Sequence, residues 1–248
     1  MSSEFRAKAR EKLSGKWGKS ALIILAYYLV FLIINIITSF IGEESALSSI
    51  ISLALFIIEI PLGFGLVFSL FKLYKGEDTT YFEFLNLGFS NFKRAWGITW
   101  QMFLKMLLPI VLMIISYILI IVSVSMSIYS LFISSSAVGT ASLLLLIGGI
   151  LLVVSSIWST ILSYYYQLSY FIAIDNPDLT SKEAVLKSRE LMTNNRWNLF
   201  KLQFSFIGWI ILSAFTFGIG LLWVAPYMLF SIISFYESLI SNGADVAE

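Results

Sequence analysis

The chain contains no cysteine and no histidine among its 248 residues, and only 12% of them are charged. Without cysteine there is no disulfide, no thiolate nucleophile and no cysteine metal ligand. Without histidine the commonest general base and the commonest transition-metal ligand are missing. Hydrolase and metalloenzyme chemistry lose their usual side chains. No phosphate loop, nucleotide-binding fingerprint or metal-ligand spacing occurs either. The chain is therefore read as not an enzyme, with no cofactor. A soluble domain carries about 25% charge, so this one has too little polar surface to wrap a core in water.

What the chain has is apolar residues, at 58% of the whole, with a mean hydropathy of +0.88. They fall into six runs, at residues 20–41, 48–73, 101–125, 141–166, 199–217 and 221–240. The fourth continues apolar to residue 174. About 20 residues suffice to cross the hydrocarbon core, and a backbone in lipid must satisfy its own hydrogen bonds, so each run is expected to be a helix. The basic N-terminus followed by an apolar run has the look of a secretory signal. That run is longer than the roughly 7–15 residues of a signal core, so it is expected to stay as the first span.

All sixteen Lys and Arg residues lie in three clusters, at residues 6–19, 72–105 and 182–201. The turns Gly42-Glu43-Glu44-Ser45 and Phe217-Gly218-Ile219-Gly220, and the Ser-rich connection 127–140, contain none. By the positive-inside rule the basic segments and both termini face the cytoplasm, which places the protein in the plasma membrane. Each basic segment ends near a tryptophan just ahead of a span: Trp17, Trp96 and Trp197, read as interfacial anchors. Thr80-x-x-Glu83 and Thr180-x-x-Glu183 match a capping box, and the tryptophan follows 16 and 17 residues after the threonine. Phe82, Leu85, Phe89, Phe92 and Trp96 recur every three or four residues as one apolar stripe, and so do Phe5, Ala9, Leu13 and Trp17.

The expected fold is thus an all-α membrane protein. Six transmembrane helices form three hairpins, each preceded by a cytoplasmic amphipathic helix, in a single domain over 1–248. The repeat units are about 1–73, 78–174 and 178–240, arranged with pseudo-three-fold symmetry.

The strongest candidate site is Glu59. A carboxylate deep in a spanning helix costs at least about 2.5 kcal/mol and usually faces a partner or a wet cavity. Pro61 removes a helix hydrogen bond two residues on, and Gly63 and Gly65 allow close backbone approach. Broken helices beside ionisable groups build ion sites in some transporters. The competing reading is a protonated Glu59 hydrogen-bonded to a neighbouring helix, or one buried near a kink for packing alone. Lys105 is a candidate partner for it, or else a side chain that snorkels to the surface. Pro109 and Pro226 are expected to kink the third and sixth spans. Tyr164, Tyr165, Tyr166, Gln167 and Tyr170 read as an interfacial belt, with a substrate vestibule as the alternative. Gly148-Gly149 reads as a close-packing point. The basic clusters suit the anionic inner leaflet, at about 1 kcal/mol per Lys or Arg, or a protein or peptide partner. Nucleic acid is not expected, because the N-terminal cluster abuts a span. The sequence leaves the oligomeric state open.

The C-terminal third carries Phe206-Ile207-Gly208-Trp209 and then Thr216-x-Gly218-Ile219-Gly220-x-x-Trp223-x-x-Pro226-Tyr227. With Asp175-Asn176-Pro177, Ser188-x-x-Leu191-Met192 ahead of Asn195, and Ala9-Arg10, Leu13, Gly15 and Trp17 near the start, this resembles an uncharacterised family of bacterial integral membrane proteins common in Gram-positive species. More distantly, the layout is similar to the membrane domain ahead of some glycerophosphodiester phosphodiesterases. These resemblances imply a membrane fold without an assigned activity. Two functions are carried forward: a non-catalytic protein that engages lipid, an amphiphilic peptide or a membrane partner, and a small transporter or channel using Glu59.

Overall fold

The computed structural model describes residues 2–41, 45–132 and 138–244. The turn residues Gly42, Glu43 and Glu44, and residues 133–137 of the Ser-rich connection, lie outside the described residues. Among the described residues every regular element is a helix: α1 (Ser2–Leu13), α2 (Trp17–Ile41), α3 (Ala46–Lys75), α4 (Glu83–Ser90), α5 (Phe92–Phe132), α6 (Val138–Tyr166), α7 (Ser169–Asp175), α8 (Ser181–Met192), α9 (Arg196–Phe204), α10 (Ile207–Ala214) and α11 (Leu221–Ala244).

Among the described residues five stretches are long and apolar enough to cross a membrane: Trp17–Phe40, Ala46–Lys75, Phe92–Ser130, Val138–Asp175 and Leu221–Ser241. They fit a multi-pass membrane protein. The run 199–217, expected as one more continuous helix, is instead divided between α9 and α10. At the division the Phe206 amide donates to Gln203 only three residues back (2.9 Å), and the Ser205 hydroxyl donates to the Leu202 carbonyl (2.6 Å). The tightened turn lets Phe206 bury its ring edge-on against Tyr227, with centroids 4.9 Å apart. Pro61, Pro109 and Pro226 lie inside α3, α5 and α11.

Burial is concentrated where the basic residues are. Leu13, Ile23, Phe64, Leu70, Tyr74, Ile98, Leu168, Met192, Leu199, Phe230 and Tyr236 form one core. The opposite halves of α2, α3, α5 and α6 leave residues such as Ile36, Leu53, Ile118 and Ile150 exposed. Lipid is as apolar as these side chains, so leaving them outside costs little there. In the most apolar window of α11, 56% of residues are buried, against 22% or less in the other four candidate spans, which makes α11 the central helix.

α1 is not laid loosely on a surface. It packs on α11, with Ala9 and Leu13 fully buried and Phe5 edge-on to Phe235 at 5.5 Å. Three of its four cations have protein partners: Lys8 with Glu237 (3.0 Å), Arg10 with the Tyr227 hydroxyl (2.8 Å) and Lys12 over the Tyr74 ring. α5 and α6 run antiparallel, because Ser116 donates to the Gly148 carbonyl (2.7 Å) and Ser123 to the Ala141 carbonyl (2.6 Å). Of the two expected packing glycines, Gly148 meets Ile120 of α5 while Gly149 is open.

α4 departs from expectation. Its buried residues are Phe84 and Gly88, while Phe82 and Phe89 are 57% and 52% exposed. The face turned to α3 is chosen by backbone proximity rather than by the Phe82–Leu85–Phe89 stripe. A Cβ on Gly88 would lie 2.6 Å from the Pro61 carbonyl oxygen, so only glycine fits. The two capping boxes also differ. Thr180 and Glu183 make the full reciprocal box, whereas at Thr80 only half forms. There the Glu83 carboxylate accepts from the Thr80 amide (3.1 Å) and from Lys72 (2.6 Å), and the helix begins at Glu83 without a side-chain cap.

Candidate functional site

Pro61 has no amide hydrogen, so the Ile57 carbonyl four residues earlier loses its helix donor. The Trp96 indole N–H, from the first turns of α5, supplies one at 3.0 Å, with its ring edge-on to Phe56. One turn further along α3, a Cβ on Gly65 would strike the Phe84 carbonyl and lie 2.7 Å from the Gly88 amide. Pro61, Gly65 and Trp96 therefore meet in one joint between α3, α4 and α5. Gly63 faces the Tyr27 hydroxyl of α2. Glu59 and Lys105 are not brought together: both are exposed, and neither makes a hydrogen bond or ion pair among the described residues. None of the five cavities described has Glu59 in its lining.

The three expected anchors are placed differently. Trp17 is edge-on to Tyr227 at 5.7 Å, half-buried and packed against the core. Trp96 is committed to Ile57. Trp197 stays 62% exposed, stacked on Phe200 at 4.9 Å, with the Lys201 ammonium over its ring at 5.7 Å.

Trp197 lines a cavity of about 300 Å³ between the end of α6 and α9, together with Thr160, Ile161, Tyr164, Arg196 and Phe200. The Arg196 guanidinium lies 4.1 Å from the centre of the Tyr165 ring and makes no ion pair among the described residues. A second apolar cavity of about 300 Å³, lined by Val154, Ile157, Trp158 and Ile161, continues along α6 and shares Ile161. On another side lies a chamber of about 520 Å³ that shares Thr160 and Tyr164 and adds Gln167, Tyr170 and Gln203. Of the tyrosine group of the sequence, Tyr164, Tyr166, Gln167 and Tyr170 thus line a recess, and Tyr165 lies outside it under Arg196. Arg196 and Gln203 are not legible as partners of this group, because they lie 26 or more residues further along the chain.

A charge cluster ties the basic ends together. Glu237 accepts from the Tyr74 hydroxyl (2.7 Å) and pairs with Lys75 and Lys8 (3.0 Å each), and Asp175 accepts from the Tyr236 hydroxyl (3.1 Å). Lys16 donates to the Leu73 carbonyl in the last turn of α3 (2.8 Å). Arg94 holds the 176–179 loop through the carbonyls of Asn176 (2.8 Å), Pro177 (2.5 Å) and Leu179 (3.0 Å). Burial pushes the Glu83 carboxyl up, but hydrogen bonds from Lys72, Thr79 and Thr80 outweigh it and hold the group below its usual range. Among the described residues no cluster of three or more acidic side chains could hold a metal ion.

A family model described as a protein of unknown function (DUF975) matches residues 1–243 of this chain. No curated protein and no solved structure matches it.

Proposed function

The chain belongs to the DUF975 family, whose function is unknown, and we propose that it is a non-catalytic, multi-pass protein of the plasma membrane that binds an anionic amphiphile, a lipid, at the cavity beside Arg196. The observation that carries this is Arg196 itself. A guanidinium stands at the mouth of an aromatic cavity, braced on Tyr165 and without a carboxylate partner among the described residues. Cation–π bracing of this kind fixes the group without neutralising it. A phosphate there would gain charge-assisted hydrogen bonds. The tail would follow Ile161, Ile157 and Val154 along α6. A transport pathway needs Glu59 on a cavity, and no observation favours that second reading.

The chain crosses the membrane six times with its basic side in the cytoplasm, α9 and α10 together making one kinked crossing. It also includes a threefold repeat. Supporting it, three segments bury residues at the same steps of four, seven and three: Ala9, Leu13, Ser20 and Ile23; Phe84, Gly88, Ala95 and Ile98; Ser188, Met192, Leu199 and Leu202. In this register the Thr80 and Thr180 boxes are one turn out of step, as expected when α4 has 8 residues and α8 has 12. Gly15 (φ 74°) and Asn194 (φ 69°) take the same left-handed place, two residues after Leu13 and Met192.

Native mass spectrometry of the detergent-purified protein titrated with phosphatidylglycerol tests the binding. Arg196→Gln is expected to weaken it about tenfold, the equivalent of 1.4 kcal/mol, while Lys182→Gln leaves it unchanged. Equal binding by wild type and Arg196→Gln would remove the proposal.

A further inference from the structure

We infer that the chamber beside the Arg196 cavity reads the hydroxyl groups of an uncharged polyol on the bound lipid's head; this rests on the lipid-binding reading above. The chamber holds about 520 Å³ and shares Thr160 and Tyr164 with the Arg196 cavity, so one ligand can occupy both. None of its lining residues is charged. Its polar groups divide into two sets. The Tyr170 hydroxyl is committed to Thr99 (2.9 Å), and the Ser163 hydroxyl to the Thr160 carbonyl (2.8 Å). The Gln167 and Gln203 carboxamides and the Tyr164 and Tyr166 hydroxyls have no hydrogen-bond partner among the described residues.

The chemistry of the open set selects the occupant. Each carboxamide offers two donors and an acceptor, and each phenol one donor and an acceptor. An ammonium or carboxylate in the head would enter the chamber without a counter-ion. An alkyl head would strip water from two carboxamides and return nothing. A head with several hydroxyls both donates and accepts, so it satisfies the chamber while its phosphodiester stays on Arg196. Gln167 lies at the junction of α6 and α7 and Gln203 on α9, so such a head would also bridge these elements.

The test compares phosphatidylglycerol with phosphatidylethanol in mixed micelles. Both carry one phosphodiester charge, and only the first has head-group hydroxyls. Wild-type protein is expected to prefer phosphatidylglycerol about fivefold or more. Gln167→Leu with Gln203→Leu should bring that preference within twofold without weakening phosphatidylethanol binding, since the alkyl head no longer strips water from the carboxamides; retained phosphatidylethanol binding also reports that the variant is folded. Each single variant should lose part of the preference, so the comparison survives a misfolded double variant. Equal affinities in wild type would overturn this inference and leave lipid binding at Arg196 intact. A full preference retained in the glutamine variants would take the polyol out of this chamber. Failure of both lipids to bind wild type would remove the underlying reading as well.

Discussion

Replacing Trp96 with phenylalanine keeps an aromatic ring beside Phe56 and removes one donor, the indole N–H at 3.0 Å from the Ile57 carbonyl. That carbonyl has no helix donor, because residue 61 is proline. A typical hydrogen bond contributes about 0.5–1.5 kcal/mol net, and leaving a desolvated partner unpaired costs about 1–3 kcal/mol. Ile57 and Trp96 lie within candidate spans, where lipid offers no replacement donor. The expected cost of Trp96→Phe is therefore about 2 kcal/mol. Pro61→Ala restores a backbone N–H to the same carbonyl, so in that background Trp96→Phe should cost well under 1 kcal/mol. The double-mutant cycle should give a coupling of about 1–2 kcal/mol. The effect of Pro61→Ala on helix propensity cancels in the cycle. The assay is reversible unfolding of the four purified proteins by sodium dodecyl sulfate in mixed micelles, followed by far-ultraviolet circular dichroism. If Trp96→Phe costs the same in both backgrounds, to within about 0.4 kcal/mol, the indole is not replacing the donor that proline removes.

Gly65→Ala should destabilise by about 2–3 kcal/mol or more, since its Cβ meets backbone that cannot move aside. Gly149→Ala, with nothing within 4 Å, should be neutral or stabilising by up to about 1 kcal/mol in the same unfolding assay. Tyr74→Phe removes the 2.7 Å hydrogen bond to Glu237 from a fully buried tyrosine, and a loss of about 1.5–3 kcal/mol is expected in the unfolding midpoint. The Glu83 carboxyl titrates below its ordinary value of 4.5, so its contribution is full at neutral pH. That contribution is lost as pH falls below the ordinary value and through the lowered one. Glu83→Gln should be less stable at pH 7 and should lose less stability on acidification than wild type.

Much of the helical layout could be read from the chain. The five candidate spans overlap five of the six expected ones, and Tyr164, Tyr166, Gln167 and Tyr170 line a recess. The run 199–217 shows where such reading stops. Its composition is apolar throughout, and nothing local marks Ser205–Phe206 as a division. Phe206 turns inward to meet Tyr227, 21 residues on, and the rest of the core. Glu59 is conspicuous as a carboxylate in an apolar run, yet it lies exposed, while its neighbours Pro61 and Gly65 form the tight joint. Proline and glycine spacing marks a close approach without naming what approaches. Here it is Gly88, from a helix whose own stripe pointed elsewhere.

By itself the sequence determined that the chain is helical, that several helices are fit to cross a bilayer, and that its cations collect at their ends. These follow from sums over local windows: transfer free energy, helix length and the need of each backbone group for a partner in its own segment. Tertiary structure decided which faces are buried, what supplies the Ile57 carbonyl, and that Arg196, Tyr164, Gln167 and Gln203 border adjoining recesses. In water an apolar stripe names the core face. In lipid both faces of a helix are apolar, so hydrophobic periodicity cannot tell a packed face from a lipid-facing one. Only the backbone approach at Gly65 and Gly88 and the polar contacts between helices resolve it.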